Sequence, residues 1–188
     1  KRIILGSNSP RRRELLGGLN IEFTVDTGND FEEVYDPSTP HEKISEVLSE
    51  GKSYGFHRQL EADEILITSD TLVLCGDRVM GKPHSREEAY DMLRHLSGRE
   101  HKVITAVTVR DNNRHTTLSD TAIVHFKELT DNEIEYYIDQ YKPFDKAGAY
   151  GIQEWIGYAG IGRIEGSYFT IMGLPVHLVY KELLNFIG

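Results

Sequence analysis

Ile3-Ile4-Leu5-Gly6-Ser7-Asn8-Ser9-Pro10-Arg11-Arg12-Arg13-Glu14-Leu15-Leu16 decides how this chain is built. Ile3 to Leu5 read as a short buried strand, and Glu14 to Leu16 continue as a helix, so the residues between them form a strand-to-helix turn. Ser9 suits the N-cap and Pro10 the first helical position, where a missing N–H is no loss. Free backbone N–H groups and the positive end of the helix dipole then converge where the arginines begin, a geometry that favours phosphate. The guanidiniums of Arg11 and Arg12 add bidentate donors, and Ser7 lies in the same turn. An isolated basic triplet is otherwise one solvated turn of helix, so the rest of the chain has to decide between the two.

Outward from that turn, strand and helix patterns alternate. Glu22 to Asp26 reads as a second strand. Thr39-Pro40-His41-Glu42 supplies an N-cap, an N1 proline and a capping-box glutamate for a helix to about Phe56, with Ile44, Val47 and Leu48 as its stripe. Glu64 to Ser69 reads as a buried strand ending at Asp70, continued by Leu72 to Leu74 into a Gly76-Asp77 turn and a return strand, Arg78 to Met80. Ser85-Arg86-Glu87-Glu88 opens a helix that buries Ala89, Met92, Leu93 and Leu96 and stops at Gly98. Val103 to Arg110 and Thr116 to Lys127 pair as a hairpin around Asp111-Asn112-Asn113, and Thr130-Asp131-Asn132-Glu133 caps a further helix. Gly162 to Thr170 reads as a last strand. Leu174 to Ile187 reads as a terminal helix with Val176, Val179, Tyr180, Leu183 and Leu184 inward. The pattern is α/β with a mixed, twisted sheet and flanking helices.

At 188 residues, with 39% apolar and 10% aromatic content, the chain is one domain's worth, 1–188, with a substantial core. No apolar run is long enough to span a membrane, and an arginine cluster stands where a secretory stretch would be, so a cytoplasmic location and no membrane partner are expected. The single cysteine, Cys75, lies in an apolar run and reads as a buried strand residue rather than a nucleophile. A net charge of −9 argues against a nucleic-acid partner, whereas a small polyphosphate needs only one cationic pocket. The eight histidines are scattered without metal-ligand spacing, so no zinc site is expected.

Several residues carry chemistry. Asp70, at the expected carboxyl end of a buried strand, is where an open α/β sheet presents ligand-facing groups, although an Asp there is also an ordinary turn residue. Thr71 follows it. Lys82, in the tight Gly81-Lys82-Pro83 turn after the return strand of the same hairpin, can reach the same region. Glu32 and Glu33 form a second carboxylate group, read either as a solvated acidic loop or as part of a magnesium site shared with Asp70, since hard divalent ions take carboxylate oxygens, water and phosphate. Asp145 and Lys146 read as a local ion pair, with the lysine's role open.

Gly6-Ser7-Asn8-Ser9-Pro10-Arg11-Arg12-Arg13-Glu14-Leu15-Leu16 resembles the amino-terminal signature of the Maf family of nucleotide pyrophosphatases, also named septum formation inhibitors. The likeness continues through Glu32-Glu33, Lys52, Ser69-Asp70-Thr71, Gly81-Lys82-Pro83, Leu96-Ser97-Gly98, the run Phe144 to Gln153, Ile164 to Tyr168 and Gly173-Leu174-Pro175. It covers essentially the whole chain. Departures are mild: Gly6 for Ala, Ser69 where Ala is common, Ser49 and Ser53 beside the helical lysine, and Asn20 where Gly is common.

The resemblance implies a Maf / inosine triphosphate pyrophosphatase-like fold of two lobes around a central cleft. It also implies hydrolysis of a nucleoside triphosphate to the monophosphate and pyrophosphate with a divalent cation, Mg2+ or Mn2+. On that reading Ser7, Arg11, Arg12, Lys52 and Lys82 hold the triphosphate, Glu33 and Asp70 hold metal, and Asp70 accepts a proton from the attacking water. Arg12, Thr71 and Gln153 are similar to the dTTP- and UTP-preferring branch, and a glutamine amide matches a uracil or thymine edge. Both substrates, or modified pyrimidine triphosphates, fit this expectation. A homodimer is implied by the resemblance alone, and a nucleotide-binding regulator of cell division without turnover is the alternative.

Overall fold

Ile3, Ile4 and Leu5 form the buried part of β1 (Arg2–Leu5), which pairs in parallel on one side with β2 (Thr24–Val25) and on the other with β3 (Glu64–Cys75). The computed structural model describes residues 1–188. After β1 come α1 (Pro10–Gly17) and, past β2, a 3-10 turn (His41–Lys43) leading into α2 (Ile44–Tyr54). β3 turns back into β4 (Arg78–Met80), followed by α3 (Arg86–Leu96), β5 (Glu100–Arg110), β6 (His115–Phe126) and α4 (Asp131–Tyr141). A short 3-10 turn at 147–149 precedes α5 (Trp155–Gly160), β7 (Ile161–Glu165), α6 (Tyr168–Met172) and α7 (Val176–Ile187). The seven strands form one mixed sheet in the order β2-β1-β3-β5-β6-β7, with β4 paired to β3.

The chain divides into two units. One comprises residues 1–71, 105–120 and 173–188, and the other 72–104 and 121–172. β3, β5 and β6 therefore each pass from one unit into the other. In the first unit Ile3, Ile4, Leu5, Leu16, Ile44, Ile65, Leu66, Ile67 and Val179 are buried; in the second Val73, Met92, Leu93, Leu96, Ile134 and Tyr137 are. No helix is long and apolar enough to cross a membrane.

Local chemistry explains most boundaries. Ser9 caps α1 by accepting from Arg12 N, and Pro10 starts the helix. α4 has a complete capping box, in which Thr130 Oγ1 accepts from Glu133 N while Glu133 Oε1 accepts from Thr130 N. For α3, Ser85 Oγ accepts from Glu88 N, but Glu88 returns its bond to His84 N rather than to Ser85. Cys75 is buried in β3, and burial pushes its thiol up, away from the reactive thiolate.

Other boundaries differ from the sequence pattern. β2 is only two residues long instead of spanning 22–26. Thr39 does not cap α2: the chain enters through a 3-10 turn after Pro40 with no side-chain cap bond, and Val47 is exposed because the buried stripe runs through Ile44, Ser45, Leu48 and Ser49. The last strand stops at Glu165, since Gly166 adopts φ 102° and Tyr168 begins a helix. The terminal helix begins after Pro175, and Tyr180 and Leu184 face outward while Val179, Leu183 and Phe186 are buried.

Asp70 lies in the middle of a continuous twelve-residue strand rather than at its end. The two halves of β3 have different partners: residues 64–67 pair in parallel with β1, and residues 73–75 pair antiparallel with β4. Asp70 thus follows the last β1 register pair, Leu5↔Ile67, so it still stands just beyond the carboxyl end of a parallel ladder.

Candidate active site

Asp70 and Thr71 are consecutive on β3. Each meets a cation. Lys52 Nζ, from α2, donates to Asp70 Oδ1 at 2.9 Å and to the Ser69 carbonyl at 3.2 Å. Arg12 Nη2, from α1, donates to Thr71 Oγ1 at 2.9 Å, and Thr71 Oγ1 lies 3.0 Å from Thr105 Oγ1 on β5.

The Arg12 guanidinium is held as a fan. Nε donates to the Gly173 carbonyl at 2.7 Å and Nη1 reaches Ser7 Oγ at 3.5 Å, so the turn after β1 and the segment before α7 meet on one side chain. Burial pushes this guanidinium down to about 10; Asp70 and Glu33 pull it back up, and neighbouring Arg11 opposes them. Arg12 is therefore charged at neutral pH and senses both acids. Arg11 is half-buried beside it, whereas Arg13 is exposed on the helix surface.

Glu33 reaches the same ammonium, with Oε1 at 3.1 Å from Lys52 Nζ. Its loop is docked on α2 and the glycine that follows it through uncharged groups. Asn29 Nδ2 donates to the Lys52 carbonyl at 2.6 Å, Asn29 Oδ1 accepts from Phe31 N, and Asp30 N donates to the Gly55 carbonyl. The Phe31 ring lies over Gly51 so closely that a Cβ there would stand 2.2 Å from it. The sequence pattern points to Glu33 but not to Asn29, Phe31 or Gly51. Their only signal is an Asx turn at Asn29 and a glycine inside a helical run.

Two carboxylate oxygens that converge on one ammonium form a site able to accept a cation. An oxygen-only donor set suits a hard divalent ion such as Mg2+ or Mn2+, with water and phosphate completing the coordination, so these residues fit the implied metal. Folding also creates a cluster that spacing along the chain does not reveal: Glu100, His125 and Glu165, on three neighbouring strands, offer ligand atoms within 4.8 Å of one another. His125 Nε2 lies 2.9 Å from Glu165 Oε2, and Arg163 also pairs with Glu165.

Lys82 and Gln153 lie in the second unit. Lys82 is exposed in the turn after β4, and the neighbouring Gly81 carbonyl accepts from Gly148 N at 3.1 Å, which ties this turn to the Gly-rich segment leading to Gln153. Gln153 is half-buried, with Oε1 buried and without a hydrogen-bond partner. Lys146 is the ion pair read from the sequence, with Nζ 2.9 Å from Asp145 Oδ1, and also lies 3.8 Å from Glu154 Oε1. Tyr150 is buried, with its hydroxyl 2.6 Å from His101 Nε2 and its ring edge-on to Phe126.

The family model described as Maf-like protein matches residues 2–186. The chain belongs to the Maf family. Among its relatives, the dTTP/UTP pyrophosphatase of Parabacteroides distasonis is 48% identical over 98% of this chain and 96% of its own length. That of Porphyromonas gingivalis is 46% identical over 98% of this chain and 94% of its own length. That of Phocaeicola vulgatus is 48% identical over 97% and 94%. A crystal structure of a nucleoside-triphosphatase / dITP/XTP pyrophosphatase from Mycobacterium abscessus covers 69% of this chain and 76% of its own, with TM-score 0.42 and 11% identity, too slight a likeness to carry argument.

Proposed function

We propose that this chain, working as one domain over residues 1–188, hydrolyses dTTP and UTP to the nucleoside monophosphate and pyrophosphate. The observation that carries the reading is the meeting of Glu33, Lys52 and Asp70 one residue along β3 from the Arg12–Thr71 bond. Acids and cations gathered so closely suit a substrate whose polyphosphate tail arrives with a divalent ion, Mg2+ or Mn2+. The names of relatives close to half identical over nearly their whole length support the substrate class. The net charge of −9 favours a small polyphosphate over a nucleic-acid backbone.

In this mechanism Arg11, Arg12, Lys52 and Lys82 neutralise the triphosphate, and the backbone N–H groups at the start of α1, with Ser7, orient it. Glu33 and Asp70 hold the ion, which when bound supplies positive charge against the phosphate oxygens. Asp70 accepts a proton from water as the water oxygen bonds to the α-phosphorus. The α–β anhydride P–O bond breaks, its electron pair leaves with pyrophosphate, and Asp70 returns its proton to solvent. Thr71 fixes Arg12, and Gln153 reads the pyrimidine edge.

Pyrophosphate release from dTTP and UTP tests this, using purified protein with Mg2+ or Mn2+. Wild type turns both over, and Asp70→Asn loses release by about three orders of magnitude or more while still binding nucleotide, as expected for removal of a proton acceptor. Near-normal turnover by Asp70→Asn would show the mechanism to be wrong. Tight nucleotide binding with no release under any divalent ion would leave a nucleotide-binding regulator of cell division in its place.

A further inference from the structure

Arg110, the last residue of β5, grips the end of α2. Its Nε donates to Ser53 Oγ at 2.9 Å and its Nη2 to the Ser53 carbonyl at 2.7 Å, so two nitrogens of one planar group hold one residue. The guanidinium carbon also stands 4.7 Å from the centroid of the Tyr54 ring. Ser53 and Tyr54 end α2, where carbonyls run out of helical N–H partners. A cation there supplies a donor and complements the negative end of the helix dipole.

One turn earlier the helix is tied down by hydroxyls. Ser49 Oγ donates to the Thr68 carbonyl at 3.2 Å and lies 2.9 Å from Thr108 Oγ1, while Thr68 Oγ1 donates to the Ser49 carbonyl at 2.9 Å. Ser49, Ser53, Thr68 and Thr108 are all fully buried. Buried hydroxyls must be bonded, so α2 is held at the height along β3 and β5 that satisfies them; an alanine in either serine's place would pack without choosing a height.

Lys52 stands between these two anchors, and both of its ends serve the site. Its ammonium holds Asp70 at 2.9 Å and Glu33 at 3.1 Å, and its carbonyl accepts from Asn29 in the loop that carries Glu33. One residue of helix is about 1.5 Å of rise, so a last turn that frayed or slipped by that much would carry the ammonium out of hydrogen-bond reach of both acids.

Resting on the reading that Lys52, Glu33 and Asp70 serve a triphosphate and its divalent cation, we propose that Arg110 is a positioning residue for that site. By holding the last turn of α2 through Ser53, it sets the height of Lys52 and with it the separation of the two carboxylates. Arg110 acts through Lys52 and not on the substrate.

The full chain is compared as wild type, Arg110→Met, Arg110→Lys and Ser53→Ala in two assays. One follows the rise in melting temperature as Mn2+ is added at a fixed concentration of a UTP analogue with methylene in place of the α–β bridging oxygen. The other follows pyrophosphate release from UTP at saturating Mn2+. Arg110→Met should need about tenfold more Mn2+ for half of the melting shift and lose about tenfold or more in kcat/KM, as expected when charged groups are misplaced by about an ångström. Arg110→Lys, which keeps a cation at the helix end but cannot hold both oxygens, should recover part of each loss. Ser53→Ala, which keeps the carbonyl, should fall between Arg110→Met and wild type. An Arg110→Met protein that melts lower but keeps the wild-type Mn2+ requirement and kcat/KM would make Arg110 a structural clamp only, which overturns the proposal. If Arg110→Met does not fold, wild-type values in both Arg110→Lys and Ser53→Ala overturn it instead. A wild type that shows no Mn2+-dependent shift and releases no pyrophosphate overturns the reading of the site, and this proposal with it; a responsive wild type with equally responsive variants overturns this proposal alone.

Discussion

Lys52 Nζ donates to Asp70 Oδ1 at 2.9 Å, joining the last turn of α2 to the middle of β3 at a point where only 19% and 11% of the two side chains remain exposed. The same ammonium holds Glu33. One lysine therefore keeps two acids together, and under the proposed function this pairing sets both carboxylates where a divalent cation would be held. The arrangement is preorganised, so little reorganisation remains for the reacting state.

Removing that ammonium leaves two carboxylates facing each other. Lys52→Met is expected to lose about 1–3 kcal/mol of stability in chelator, since the buried Asp70 loses its charged partner while the exposed Glu33 adds little. Millimolar Mn2+ should recover much of the loss by binding the folded state. Thermal melts with and without Mn2+ check this: a variant whose melting point ignores the metal would show that Glu33 and Asp70 do not converge on a cation site.

The position of Glu33 depends on Gly51. Gly51→Ala puts a methyl 2.2 Å from the Phe31 ring, so the loop carrying Glu33 must lift from α2. The expected result is a fall in kcat/KM of at least about tenfold and a higher Mn2+ requirement, at a stability cost of about 1–3 kcal/mol. A well-folded Gly51→Ala protein with wild-type metal dependence would show that the loop's docking does not matter to the acid pair.

What the sequence makes legible is local. Ser9-Pro10 and Thr130-to-Glu133 announce their helix starts because a cap is settled within four residues, and the α3 stripe Ala89, Met92, Leu93 and Leu96 is buried as its period requires. Asp70 looks like a strand end because polar residues interrupt the apolar run there; a change of pairing partner, which no local pattern encodes, keeps the strand going. Val47, Tyr180 and Leu184 fit helical stripes yet lie exposed, since the width of a buried face depends on what packs against it. Phe31 and Asn29 escape notice because their partners lie on α2, some twenty residues away in sequence. Glu100, His125 and Glu165 meet only through the alignment of three strands.

Arg12 cannot be replaced by the other basic residue. It spends three nitrogens on Gly173, Thr71 and Ser7, a planar fork that an ammonium cannot copy. Arg12→Lys should therefore lower kcat/KM for UTP by about 10- to 100-fold while retaining the positive charge. Steady-state kinetics read this directly; activity within twofold of wild type would mean that charge alone, not the fork, serves the substrate.

His101 makes stability depend on pH in a direction that can be derived. It is 2% exposed, its Nε2 pairs with the Tyr150 hydroxyl, and its Nδ1 is buried without a partner. Burial, with a smaller push from His125, lowers it from 6.5 to about 3, so the folded ring is neutral at any ordinary pH. The unfolded chain binds a proton here as pH falls through 6.5 and the folded chain does not until about 3, so stability drops across that window and is unaffected by this group above it. The drop is at most about 1.4 kcal/mol for each pH unit below 6.5. Urea melts at pH 7.5 and pH 5 should show wild type losing up to about 2 kcal/mol through this histidine, and His101→Gln losing correspondingly less over the same interval. Equal losses in the two proteins would place the acid sensitivity elsewhere and show that His101 takes up its proton in the folded state.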